Sequence, residues 1–254
     1  MTDPTRGILY PERLPHLQRL PAPDAAADLV GWFWVPEWDL PPGVASRQQV
    51  LAFPAANLVV EPSGVTLWGA TTRVSERVLE GRGWAVGALL KPAALAVLSD
   101  SPADLVDSFA TLDEPDLHAA VRGVMPGGAE AAVARMAAWV DARVGVRTGE
   151  ARLAADMAEL LMTDATILRV EDAAARLSVS PRTLQRLAHR TVGLPPATMI
   201  RRRRLQEAAQ HVREDPDASL AEIAVSLGYA DQAHLANDFR TVLGMTATEY
   251  RSER

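Results

Sequence analysis

Arg182, Gln185, Arg186 and His189 stand at i, i+3, i+4 and i+7, the spacing that gathers side chains on one face of a helix. The chemistry of such a face is base recognition. An arginine fork matches O6 and N7 of guanine, and a glutamine amide matches N6 and N7 of adenine. Each bidentate pair is worth roughly 1–3 kcal/mol of discrimination against a wrong base. Thr183 can meet a phosphate or a thymine methyl. A second set lies about fifty residues on: Gln232, Ala233, His234, Asn237 and Arg240. Gln232 and Asn237 carry amides for bases, whereas His234 and Arg240 suit phosphates. A structural role for His234 is as good a reading. A solvated helix presents polar faces too, so the elements that hold these residues must carry the argument.

Those elements repeat. Val170 to Leu177 reads as one helix. Ser180 as N-cap and Pro181 at the first helical position then start another, running to Arg190 with Leu184, Leu187 and Ala188 inward. Ser219 caps a helix over 220–227, with Glu222 completing a capping box and Gly228 ending it. Asp231 caps the next helix, 232–243. The spacing predicts two helix-turn-helix units, 170–193 and 219–244. Between them 195–214 reads as a helix of roughly 30 Å, close to the roughly 34 Å between successive major grooves on one side of a duplex. Arg201, Arg202, Arg203 and Arg204 lie in that helix and point in four directions. Ion pairing and solvation are expected for most, with one or two touching phosphate or bracing a unit.

The net charge of −6 argues weakly against indiscriminate nucleic-acid binding. The charge is uneven. Residues 165–254 hold 13 arginines against 11 acidic residues, and the remainder carries −8. Specific contacts must supply much of any DNA affinity. With no cysteine, disulfides, thiolate metal sites and thiol redox sensing are excluded. No apolar run reaches the roughly 18 residues of a membrane span, and no signal peptide is read. The cytoplasm is the expected compartment.

The stretch IRRRRLQEAAQHV, followed by SLAEIAVSLGYADQAHLANDFR and GMTATEYR, resembles the DNA-binding domain of the AraC/XylS transcription regulators. The resemblance covers 150–254. It implies seven helices, two helix-turn-helix units and a linking helix, with both recognition helices in successive major grooves of double-stranded DNA. Base-reading positions then fall on Arg182, Gln185 and Arg186, and on Gln232, Ala233 and Asn237. Many family members carry Ser-Arg where this chain has Ala236-Asn237. The first unit is therefore expected to dominate specificity.

The N-terminal half reads differently. Residues 1–24 are proline-rich and irregular. Short apolar runs at 29–35, 48–53, 57–62, 64–70, 73–81 and 84–90 read as strands punctuated by Gly, Pro or Asn. Helices are expected from Pro92, over 115–122 and 129–144, and over 150–162, with 145–149 as a hinge. The fold class is α+β: a small cupin-like β-barrel with flanking helices, then an all-α domain with two helix-turn-helix units. The expected division is a sensor domain at 1–125, a helical linker or dimerisation helix at 126–149, and the DNA-binding domain at 150–254. AVGALLKPAAL resembles a variant class of sensor in that family.

Trp32, Trp34, Trp68 and Trp84 can line an apolar effector pocket, or simply fill the barrel core. A metal-dependent cupin enzyme would need clustered His and carboxylates, and the first 117 residues hold only His16. No catalytic residue, cofactor or metal is expected. The combined expectation is a DNA-binding regulator responsive to a small apolar or aromatic effector. It would be a homodimer, meeting RNA polymerase if it activates. The alternatives are a constitutive regulator whose N-terminal half only dimerises and, last, a cupin-type enzyme.

Overall fold

The computed structural model describes residues 16–51, 53–145, 149–215 and 217–252. Nine strands come first: β1 (His16–Pro21), β2 (Val30–Asp39), β3 (Ala45–Val50), β4 (Asn57–Glu61), β5 (Gly64–Trp68), β6 (Ser75–Glu80), β7 (Arg82–Trp84), β8 (Val86–Leu90) and β9 (Phe109–Leu112). Three helices belong with them: α1 (Pro92–Leu98), α2 (Pro115–Val124) and α3 (Ala129–Val144). Seven more follow: α4 (Gly149–Thr163), α5 (Val170–Arg176), α6 (Pro181–Thr191), α7 (Pro196–Glu214), α8 (Leu220–Ser226), α9 (Gln232–Leu243) and α10 (Ala247–Ser252). The α+β class, sheet-rich first and helical second, is as expected.

The strands form an antiparallel sheet in the order β1-β2-β8-β4-β5-β9, with β7 also on β2. The path ends at β1 and β9, with no closing pair among the described residues. The expected small barrel is thus an open antiparallel sheet. β3 and β6 form a separate two-stranded ribbon.

Alternation sorts the residues onto two faces. Phe33, Val35, Leu58, Val60, Val65, Leu67, Val86 and Ala88 share one face, and all are buried. Against it pack Leu117 and Val121 of α2 and Ala132, Val133, Met136, Ala137 and Val140 of α3. Fully burying each of the larger side chains stabilises the fold by roughly 1.5–3 kcal/mol. The apolar stripe of α3, a candidate for pairing two subunits, is therefore spent inside its own domain, and α3 belongs to this core rather than to a linker.

Two sequence expectations need correcting. His16–Pro21, within the stretch read as irregular, is strand β1, paired with β2 from His16 opposite Glu37 to Pro21 opposite Trp32. Leu17 and Leu20 are three apart, so no period of two is visible. Pairing with β2 creates the strand, and its edge position tolerates Pro21. The run 84–90 is two strands broken at Ala85, whose N–H donates to the Pro36 carbonyl. Strand β9 had no signal, and most of the expected hinge, 146–148, lies outside the described residues.

Candidate nucleic-acid interface

Each helix-turn-helix unit is built by local chemistry. In the first, the Ser180 hydroxyl accepts from the Thr183 N–H at 3.1 Å and starts α6. The turn before it passes through Ser178 at a φ of 55°, and the Val179 N–H donates to the Ala174 carbonyl at 3.0 Å. In the second unit Asp231 caps α9, accepting from the His234 N–H at 2.7 Å. Gly228 takes the left-handed turn position, and the Tyr229 N–H donates to the Ala224 carbonyl at 2.9 Å. The two units share one construction.

The caps put the recognition helices in register. Counting from Ser180 and Asp231, Arg182 corresponds to Ala233, Thr183 to His234, Gln185 to Ala236, Arg186 to Asn237 and His189 to Arg240. Arg182, Gln185, Arg186 and His189 are all exposed, while Leu184, Leu187 and Ala188 are buried. Gln232, Ala233, His234, Asn237 and Arg240 are also exposed. So each helix offers an open polar face. Only the first carries long donors at both of its first two outward positions. The second has alanines there.

Two residues have partners already. The Thr183 hydroxyl is hydrogen-bonded to the Ser180 hydroxyl at 2.9 Å, leaving its methyl as the free part. His234 sets its ring edge-on to Tyr229, with centroids 5.2 Å apart.

The four arginines of α7 each brace something different. Arg201 pairs with Asp238 of α9 at 2.6 Å. Arg202 donates to the Thr71 carbonyl at 2.6 Å, in the sheet domain. Arg203, fully buried, donates to the carbonyls of Asp164 and Ile167 at the corner between α4 and α5. Arg204 donates to the Leu227 carbonyl at 2.7 Å and lies 3.8 Å above the Tyr229 ring. Burial lowers the Arg202 pKa to about 10. Burial, then the Asp238 charge, pushes the Tyr229 hydroxyl up. Ion pairing, expected together with solvation for most of the four, is found at Arg201 and Arg203; bracing, expected of one or two, extends to all four. Four directions on one helix demanded four partners, and the fold provides them.

Sequence reasoning missed Asp238. It lies on the inner side of α9 between Leu235 and Phe239 and is 4% exposed. A carboxylate on an apolar face was the available signal, since a buried charge requires a partner.

The four tryptophans divide. Trp32, Trp34 and Trp68 lie on the sheet face away from the core, by alternation with Phe33, Val35 and Leu67. Trp84 packs against the core itself, since it is opposite Glu37, on the core side of β2. The Trp34 indole donates to Asn57 Oδ1 at 3.0 Å and lies across Gly87, where a Cβ would sit 2.0 Å from the ring. Trp68 donates to Thr66 Oγ1 at 2.9 Å and stacks on Phe109. Trp32 meets Phe53 edge-on at 4.6 Å. The β3-β6 ribbon is tied to this face by the Arg77–Glu61 ion pair and by the Trp38 indole donating to the Glu80 carbonyl at 3.1 Å.

No group of three metal-binding side chains and no helix long and apolar enough to cross a membrane occurs among the described residues.

Residues 173–253 match the family model HTH_18, described as a helix-turn-helix domain, and residues 18–110 match DUF6597, a domain of unknown function. A putative AraC-like transcription regulator of Streptomyces lividans is 40% identical over 82 residues, 32% of this chain and 27% of that protein. The transcriptional activator RhaS of Escherichia fergusonii is 37% identical over 84 residues, 33% of this chain and 30% of that protein. The matched stretches therefore span under a third of these curated relatives. ToxT of Vibrio cholerae resembles the chain at 10% identity, over 87% of this chain and 97% of that one, with a TM-score of 0.44. The Streptomyces and Escherichia relatives are named as a putative transcription regulator and a transcriptional activator. Over its helix-turn-helix domain, about a third of its length, the chain is similar to AraC-like transcription regulators.

Proposed function

We propose that the protein is a sequence-specific transcription regulator that inserts α6 and α9 into adjacent major grooves of double-stranded DNA. The observation that carries this reading is the pair of exposed polar recognition faces, in matching register from their caps and joined by α7. At 19 residues α7 is roughly 28 Å long, close to the roughly 34 Å groove repeat. Arg182, Gln185 and Arg186 read bases. Asn237 and Gln232 read fewer, beside Ala233. His189 and Arg240 approach phosphates, His234 supports the turn, and Thr183 offers its methyl. Enrichment of a two-part motif from random duplexes tests this, and a chain that enriches no sequence is not a specific reader.

The N-terminal domain is a sensor for a small apolar or aromatic effector. Trp32, Trp34 and Trp68 lie off the core, half-buried, and the indole N–H groups of Trp34 and Trp68 already have acceptors. What those two rings still offer is apolar surface. Trp84 is withdrawn from this role because it packs on the core. A constitutive regulator that only dimerises would have to use a surface other than the stripe on α3. A thermal-shift screen of small aromatic compounds tests the sensor, since a ligand bound only by the folded chain raises its Tm. Contact with RNA polymerase follows only if the protein activates.

A further inference from the structure

The five residues Ala70 to Val74, in the connection from β5 to β6, run along α7 from one helix-turn-helix unit to the other. Ala70 is buried in the core of the first unit, with Leu184, Leu187 and Val192. Val74 packs in the core of the second, with Leu235, Phe239 and Val242. Between them, the carbonyls of Thr71 and Arg73 accept from Arg202 at 2.6 and 3.4 Å. The Val74 N–H donates to the Val242 carbonyl at 2.9 Å, in the last turn of α9. Carbonyls there have no partner within the helix, so this bond fills a real vacancy. Asp107 clips the middle of the segment, accepting from the Thr72 N–H at 2.6 Å. One turn along α7, Gln206 donates to the Leu51 carbonyl at 2.8 Å, and Leu51 is fully buried in the second core.

The same domain also presses on the far end of α6. The turn Pro102–Leu105 packs against α6. Gly193, just past α6, lies so close that a Cβ would sit 2.6 Å from the Pro102 carbonyl oxygen. The sheet domain thus touches both recognition helices at their C-terminal ends. Without it, the two units would be joined by α7 and by the contact of Leu168 with Gly228, and a single helix resists bending better than it resists rocking of what is packed on it.

We propose that the strap Ala70–Val74, with Pro102, is a specificity-determining element: it fixes the separation of α6 and α9 and so the half-site spacing that the protein accepts. This rests on the DNA-reading role proposed above. One base pair shifts a half-site by roughly 3.4 Å. A slack pair of units tolerates that shift, and a clamped pair does not.

Gly193→Ala and Gly244→Ala are a matched test. Both glycines have a left-handed φ, 86° and 77°, so both substitutions carry similar backbone strain. Only Gly193→Ala collides with the sheet domain, because nothing lies within 4 Å of a Cβ at Gly244. Arg202→Met is a second, independent loosening. The chain has no cysteine, so spin labels at Arg182→Cys and Ala233→Cys report the distance between recognition helices without background. The label-to-label distribution should broaden by about 3 Å or more, one base-pair rise, in Gly193→Ala and Arg202→Met. It should stay as in the parent chain for Gly244→Ala. From duplexes with about 21 random base pairs, two groove repeats, the unlabelled natural chain should enrich one spacing and the loosened variants several. Unchanged distances in both loosened variants overturn the strap, whatever the DNA result. Changed distances with no motif enriched by the natural chain overturn the DNA-reading role instead, and the spacing claim with it.

Discussion

Arg201 of α7 and Asp238 of α9 form an ion pair at 2.6 Å in which the carboxylate is almost wholly buried and the guanidinium is 40% exposed. Asp238 faces inward from the recognition helix whose outer side carries Asn237. The pair therefore sets the rotation of α9 about its own axis, and with it which residues face outward.

Asp238→Ala should destabilise the protein by about 1–3 kcal/mol. Breaking a fully buried pair costs roughly 3–5 kcal/mol, and the partial exposure of Arg201 discounts that figure. Asp238→Asn, which keeps an acceptor for Arg201, should cost less. Urea denaturation of both variants measures this. Equal losses would mean that packing, not the charge, matters at this position.

Arg186→Ala should weaken specific DNA binding by roughly 1–3 kcal/mol and relax base choice at one position. Asn237→Ala should cost less, because its helix has alanines where α6 has Arg182 and Gln185. Fluorescence anisotropy on an enriched duplex and on a scrambled one separates the cases. Equal weakening on both would make Arg186 a phosphate contact.

Gly87→Ala should expel the Trp34 indole from its seat on β8, because the added Cβ would sit 2.0 Å from the ring. Overpacking of this kind costs roughly 1–3 kcal/mol. The Trp34 hydrogen bond to Asn57 is lost as well. Thermal denaturation and the emission wavelength of the tryptophans would register the change, and a variant with unaltered Tm and emission would contradict this packing.

Stability should fall in acid through two carboxylates, Glu249, which is exposed, and Asp164, which is half-buried. The backbone and hydroxyl of Thr246 hold Glu249 below its usual pKa, and the hydroxyl and backbone of Thr166 do the same for Asp164, helped by Arg176 and Arg203. A carboxylate with a lowered pKa in the folded state contributes stability that is full above its unfolded pKa, 4.5 for Glu249 and 3.8 for Asp164. That contribution fades as pH drops toward the folded value. Glu249→Gln combined with Asp164→Asn should flatten the loss of Tm below about pH 4.5. An unchanged acid slope would assign that loss to other groups.

The helix-turn-helix units were legible because their signals are local. Ser180, Pro181, Ser219 and Asp231 start helices with bonds that reach only three residues, and the faces of α6 and α9 follow from helical spacing. The residues expected to read DNA therefore lie on exposed faces, with Thr183 half-buried. The sheet was read strand by strand, since alternation and turn residues lie within each run. Strand β1 was not, because only its pairing with β2 makes it a strand.

By itself the sequence determined which segments form the helices and most of the strands, which faces are polar, and that two like units recur near its end. Tertiary structure decided what the four arginines of α7 do, which sheet face each tryptophan occupies, and that the N-terminal domain enters the cores of both units. The bond from Arg202 to Thr71 spans 131 positions along the chain. No periodicity or cap encodes a contact of that separation. It forms only when two surfaces distant in the chain meet and a buried guanidinium must find an acceptor.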